Sequence, residues 1–209
     1  MNLQTRRFQL AGPAGVIEAL RDEPGPGTAR RGTVVIAHPH PLFGGTMENK
    51  VVQTLARAFV QSGWVALRFN FRGVGASQGI HDDGRGELDD MLALIAAEAP
   101  SGALAVAGFS FGSFVACGAI KALWPSRRSE KIVLVGTASS RFEVTDLPLE
   151  AHDAALVIHG EQDDTVPLAS VMDWARPQSL PVTVVPGVGH FFHGQLPLLK
   201  SLVLRHLRS

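Results

Sequence analysis

The sequence predicts an α/β architecture in which a mostly parallel sheet of eight strands lies between helices. Three observations lead there. Short apolar runs alternate with stretches of helical periodicity, the pattern of repeated β-α-β units. Most of the runs are near-continuous Val, Ile, Leu and Ala, as strands covered on both faces require. The first two runs have no helix between them and read as a hairpin, so the sheet begins antiparallel.

The hairpin comprises RRFQLAG (6–12) and VIEALRDE (16–23). Strands follow at TVVIAHP (33–39), WVALRFNF (64–71), ALAVAGFS (103–110), KIVLVGTA (131–138), AALVIHG (154–160) and PVTVVPG (181–187). Residues 47–62 read as a helix because Val51, Val52, Leu55 and Phe59 fall on one face, and 87–99 because Leu88, Met91, Leu92 and Ile95 do. Helices at 111–124, 167–176 and 195–208 complete the set, with Pro167 suited to open the second of these. No Pro/Gly/Ser-rich linker, composition shift or repeat divides the chain. Residues 1–209 therefore read as one domain, and a hydrophobic content of 45% is ample for its core. In open sheets of this kind the active site lies beyond the carboxyl ends of the strands.

Composition narrows the function classes. Nineteen basic and nineteen acidic residues balance, which leaves no electrostatic footprint for nucleic acid or an anionic membrane. MNLQTRRFQL (1–10) lacks an apolar signal core, and no apolar run approaches membrane-spanning length. The lone Cys117 excludes intrachain disulfides and suits a reducing compartment; on its helix it reads as a small buried hydrophobe. The expectation is a cytoplasmic globule.

The most informative stretch is ALAVAGFSFGSFVACGAIKALW (103–124), an apolar strand, a Gly-x-Ser-x-Gly turn and then a helix. In that context Ser110 sits on a sharp elbow with its hydroxyl exposed, a candidate nucleophile. The helix beginning after it aims unpaired N–H groups at any negative charge that develops nearby. A second match, Gly75-Ala76-Ser77-Gln78-Gly79, follows RGVG rather than an apolar strand and precedes HDDGRG, a poor helix start. Context favours Ser110.

A serine hydroxyl needs a base, and the base needs a group to orient it. EQDDTVP (161–167) follows one strand and supplies Asp163 and Asp164; VGHFFHG (188–194) follows the next and supplies His190 and His193. With five segments in order, HPHPLFGGT (38–46), FNFRGVGASQG (69–79), GFSFGS (108–113), HGEQDDTVP (159–167) and GVGHFFHG (187–194), the chain resembles an α/β-hydrolase along nearly its whole length. It is most similar in pattern to small, capless bacterial serine hydrolases with an HPHPxxGG segment. The resemblance implies the α/β-hydrolase fold without a cap domain and the triad Ser110, Asp163, His190. It takes the acid three residues after Gly160, which leaves Asp164 as a solvated or helix-capping carboxylate, His193 as a pocket-wall or surface residue, and His159 bonded locally.

Acyl transfer also needs two oxyanion donors. The Phe111 N–H, next to the nucleophile, is one. In the loop after TVVIA the prolines of His38-Pro39-His40-Pro41 have no N–H, so His40 is the natural second and Leu42 the fallback. Pro39 stands where related hydrolases have glycine. The His-x-His pair lacks a cysteine or third histidine spaced for a metal site, so no metal is expected, and no motif requires a cofactor. In FNFRGVGASQG, Asn70 replaces the family's acid; the loop's role is structural, with Gly73 and Gly75 at positive φ and Arg72 pinning neighbouring loops. HDDGRGELDD (81–90) reads as an exposed, carboxylate-rich helix start.

The connection SSRFEVTDLPLEAHD (139–153) is too short for a helical cap, so an open pocket is expected. Its apolar rim would come from Leu42, Phe43, Phe142, Leu147 and Phe191, with Leu149, Phe111 and Phe192 nearby. Arg141 is the one nearby charge able to recognise a carboxylate, although an exposed rim arginine is the plainer reading. Such a rim favours small acyl esters as substrate. A peptidase or thioesterase with the same triad, and a non-catalytic binding module on the same fold, stay open.

Overall fold

The computed structural model describes residues 5–208; the first four residues of the N-terminal stretch, and Ser209, lie outside it. Its sheet has eight strands: β1 (Thr5–Gly12), β2 (Gly15–Asp22), β3 (Gly32–Ala37), β4 (Trp64–Phe69), β5 (Ala103–Phe109), β6 (Ser129–Val135), β7 (Ala155–Gly160) and β8 (Val182–Val185). They lie in the order β1-β2-β4-β3-β5-β6-β7-β8. β1 pairs antiparallel with β2, and β2 with β4; every other neighbour is parallel.

Among the described residues α1 (Lys50–Gln61), α2 (Arg85–Glu98), α3 (Phe111–Leu123) and α4 (Leu168–Ala175) connect strands, and α5 (Leu196–His206) follows β8. One apolar layer joins α1 and α5 to the sheet through Val51, Leu55, Phe59, Leu199 and Val203. The opposite layer packs Met91, Leu94, Val115, Ile120 and Val171 from α2, α3 and α4. Residues on β3, β4, β5 and β6 feed both layers, which is why those runs read as continuously apolar. The helical faces named from the sequence are largely buried; on α2, Met91 and Ile95 lie in the core with Leu94, while Leu88 and Leu92 pack against it.

Helix ends have local causes. The Asn49 side chain accepts the Val51 N–H at 2.8 Å, so α1 starts later than its apolar periodicity suggests. Glu87 reaches back to the N–H groups of Gly84 and Asp82, capping α2. Three short 3₁₀ turns, at 41–43, 149–154 and 176–178, have no periodic signal in the sequence. The β6–β7 connection contains only such a turn and no cap helix. Among the described residues no helix is long and apolar enough to cross a membrane.

The strand order reverses at β3, which has β4 on one side and β5 on the other. A crevice beyond the carboxyl ends of β3 and β5 follows from that reversal.

Candidate active site

Ser110 occupies the turn between β5 and α3 with φ 57 and ψ −119, a conformation costly for a residue with a Cβ by about 1–3 kcal/mol. The surroundings impose it. The Ser110 N–H donates to Val135 O at 2.8 Å, and the Ser113 hydroxyl bonds both the carbonyl (3.1 Å) and the N–H (3.2 Å) of Val135, tying α3 to β6. A Cβ on Gly108 would collide with Gly112 O, and one on Gly112 with Ala37 O and His38 O. Both motif glycines are therefore demanded by close backbone approach. The second also brings the elbow against the loop after β3.

His190 lies in the loop after β8 and is 3% exposed; its ring packs on Phe109 at 4.9 Å between centroids. Its Nδ1–H donates to Asp163 Oδ2 at 2.7 Å, which leaves Nε2 as the acceptor for the Ser110 hydroxyl at 3.0 Å. Asp163 follows β7, is buried, and accepts the N–H groups of Thr165 (3.0 Å) and Val166 (2.7 Å) on its other oxygen. The structure thus joins Ser110, His190 and Asp163 in one continuous chain. Asp164 points elsewhere: it is exposed and accepts only the Thr165 hydroxyl, at 3.3 Å.

The remaining histidines separate clearly. His159 donates to Val166 O at 2.9 Å and lies 3.5 Å from Asp163, holding the acid-bearing loop; burial pushes its pKa down, so it is neutral. His193 is exposed and stacks on Phe191. His38 is fully buried, donates to Pro39 O (2.6 Å) and accepts the Phe71 N–H (3.0 Å); burial lowers its pKa to about 3. It is a structural tie between two loops. Among the described residues no group of three or more His, Cys, Asp or Glu side chains could hold a metal ion.

The His40 and Phe111 N–H groups have no acceptor among the described residues, and both residues line the cleft that holds Ser110. Leu42 is not a spare donor, because its N–H is committed to His40 Nδ1 at 3.2 Å. The cleft measures about 330 Å³ and is walled by His40, Phe43, Phe111, Phe142 and Phe191, with Asn49, Ala138, Arg141, Thr165 and Val166. A larger depression of about 670 Å³, between the β1–β2 hairpin and α1, is lined by Leu20, Asp22, Arg57, Arg68 and Lys200 and contains no member of the Ser110 chain.

Four sequence expectations for the rim need correction. Leu42 is 70% exposed and outside the cleft wall, because the 3₁₀ turn at 41–43 aims it at solvent. Leu147 is buried in the core layer, its N–H held by Gln178 Oε1, and does not reach the cleft. Leu149 is exposed away from the cleft, and Phe192 lies in the other core layer.

The stretch 81–90 also differs from its exposed reading. Glu87 is fully buried, bonded to His81 Nδ1 at 2.9 Å, and Asp90 is buried in a two-pronged pair with Arg72 (2.8 and 2.9 Å). His81 was hidden in this polar run, yet its ring packs on His40 (4.8 Å) and Phe111 (5.5 Å), directly behind the cleft. Asn70 is explained by Glu18. Its amide nitrogen donates to Glu18 Oε2 at 2.7 Å and its oxygen accepts the Met47 N–H at 2.9 Å, whereas an aspartate there would repel Glu18. Burial alone would raise the Glu18 carboxyl; bonds from Ala76, Asn70 and Arg7 outweigh it and hold the group below its ordinary range.

No family model matches the sequence. A lid-less α/β serine hydrolase from Xanthomonas campestris is 33% identical, with a TM-score of 0.87 over 100% of this chain and 95% of that one. An α/β serine hydrolase homologue from Coxiella burnetii is 35% identical, with a TM-score of 0.82 over 99% and 98%. An uncharacterized Rickettsia prowazekii protein is 43% identical over 86 residues, 39% of this chain but only 36% of that protein's length. With the fold, the strained serine turn and whole-length likeness in agreement, the chain belongs to the α/β-hydrolase superfamily, among its lid-less serine hydrolases.

Proposed function

We propose that the protein hydrolyses small acyl esters through Ser110, His190 and Asp163. The observation that carries this reading is the hydrogen-bond chain from the Ser110 hydroxyl through His190 to Asp163, at 3.0 and 2.7 Å, ending on a serine held at φ 57. Ser110 Oγ attacks the ester carbonyl as His190 Nε2 takes its proton. Asp163 fixes the tautomer that leaves Nε2 free and stabilises the imidazolium. The N–H groups of Phe111 and His40 receive the tetrahedral oxyanion, preorganised by α3 and by the prolines on either side of His40. His190 then gives its proton to the departing alkoxide. Water, deprotonated by His190, attacks the acyl-enzyme; the bond to Ser110 Oγ breaks, His190 returns its proton to that oxygen, and the carboxylic acid leaves.

Small esters suit the cleft because it is open, about 330 Å³, and aromatic. Short p-nitrophenyl esters provide the test. Wild type is expected to turn over p-nitrophenyl butyrate with an acyl-enzyme visible as a mass increase on rapid quenching. Turnover of the same ester by Ser110→Ala at the wild-type rate, with contaminating hydrolase excluded, would overturn the assignment.

A further inference from the structure

The residues that line the cleft beside Ser110 include one permanently charged side chain. The cleft wall is aromatic and small: Phe43, Phe111, Phe142, Phe191 and the backbone of Gly44 and Gly45. The His40 pKa is pushed below its ordinary value, by burial first and then by His81 and Arg141, against the smaller opposing pull of Asp83 and Glu87. That leaves Arg141 as the permanent charge of the wall. Arg141 has no ion-pair partner among the described residues, as holds for about half of the arginines; what sets it apart is its place in the wall of the cleft that holds Ser110.

The guanidinium is also placed. The Arg141 and Phe142 N–H groups both point to Ala138 O, at 3.3 and 3.1 Å, fixing the turn that carries them. Its guanidinium carbon lies 5.7 Å from the centroid of the Phe43 ring on the opposing loop. A cation–π contact of this kind steadies an exposed guanidinium beside the exposed Phe43 ring, and its N–H donors have no acceptor among the described residues. Planar paired donors match a carboxylate better than any other anion a small acyl substrate would carry. No carboxylate lines the cleft beside this charge, although Asp83 and Glu87 act on His40 from behind it, so the guanidinium orients an anionic substrate at contact range.

Resting on the ester-hydrolase reading, we propose that Arg141 makes the enzyme selective for esters bearing a free carboxylate, such as half-esters of short dicarboxylic acids. The neutral end of the substrate lies on the phenylalanines, and its carboxylate meets the guanidinium.

The experiment compares kcat/KM for mono-p-nitrophenyl succinate, glutarate and adipate with that for p-nitrophenyl pentanoate, and likewise 4-acetoxybenzoate with phenyl acetate. These probes place the carboxylate on the acyl side or on the leaving group. Wild type is expected to favour one carboxylate-bearing probe by about three- to fivefold, the upper end for an exposed guanidinium–carboxylate pair, with the preference shrinking in 1 M salt. In Arg141→Gln the anionic-to-neutral ratio falls to about one, and Arg141→Lys restores part of it. A ratio near one in wild type for all probes, or one unmoved in Arg141→Gln, would overturn the proposal, because a merely structural arginine shifts both substrates together. A binding arm stands apart from turnover. Monomethyl glutarate, titrated into Ser110→Ala by NMR, should bind about three- to fivefold tighter than methyl pentanoate, and lose that margin when Arg141→Gln is added. Absence of the margin refutes selectivity even if esters are cleaved, whereas its presence without turnover refutes only the hydrolytic reading.

Discussion

Residues 108–112 and 75–79 share the pattern Gly-x-Ser-x-Gly, and both lie in connections leaving the carboxyl ends of parallel strands, β5 and β4. Their serines are held in opposite ways. Ser110 has φ 57, leads directly into α3, and keeps its hydroxyl for His190. The Ser77 hydroxyl is consumed: it donates to Asn70 O at 2.7 Å and accepts the Glu18 N–H at 2.9 Å, sewing the loop to β2. No helix starts directly at Ser77, since α2 begins only at Arg85, and no base lies within its hydrogen bonds. The glycines differ too: Gly108 and Gly112 answer close backbone approach, whereas Gly75 and Gly79 sit at φ 57 and 97 against side chains, so the pentapeptide alone does not fix the role of its serine. His38 sits between the two turns, its carbonyl against Gly112 and its ring accepting the Phe71 N–H from the second loop.

The contrast can be broken at four points. Ser110→Ala should lower kcat for p-nitrophenyl butyrate by about 10⁴- to 10⁶-fold without loss of fold, measured by steady-state kinetics with circular dichroism as control. Asp163→Asn should cost roughly 10⁴-fold, since an amide no longer selects the tautomer with Nε2 free, whereas Asp164→Asn should stay within about twofold. Ser77→Ala should leave kcat near wild type but lower unfolding free energy in urea by about 1–3 kcal/mol, because two buried groups lose their partner.

The fourth prediction concerns pH. An unfolded His38 takes up its proton near 6.5, the folded one only near about 3. The stability contributed by the neutral ring is complete above 6.5 and is lost as pH falls from there toward 3. His40, His159 and His206 are shifted in the same direction, chiefly by burial. Urea midpoints between pH 7 and 4.5 should fall, and His38→Gln should flatten that fall by up to about 1.4 kcal/mol per pH unit.

Strands and the serine elbow were legible because burial on both faces and a tight strand–helix turn leave signatures within one short segment. The apolar runs at 33–39 and 103–110 needed no distant partner to be read. Asp163 was reached through motif spacing; its choice over Asp164 became physical only once the Thr165 and Val166 N–H groups and His190 were seen around it. Leu147, Glu87 and Glu18 were opaque for a common reason. Each is oriented by a residue far along the chain or by irregular backbone, Gln178 for Leu147, the capped turn of α2 for Glu87, and Asn70 for Glu18. A loop has no period to betray which side chain it buries.

Of the two identically patterned serines, only Ser110 is proposed to be activated. Intact mass after fluorophosphonate treatment of wild type, Ser110→Ala and Ser77→Ala tests this most directly. The account predicts a single adduct on wild type and on Ser77→Ala, and none on Ser110→Ala. An adduct that persists in Ser110→Ala, or none on folded wild type, would contradict it.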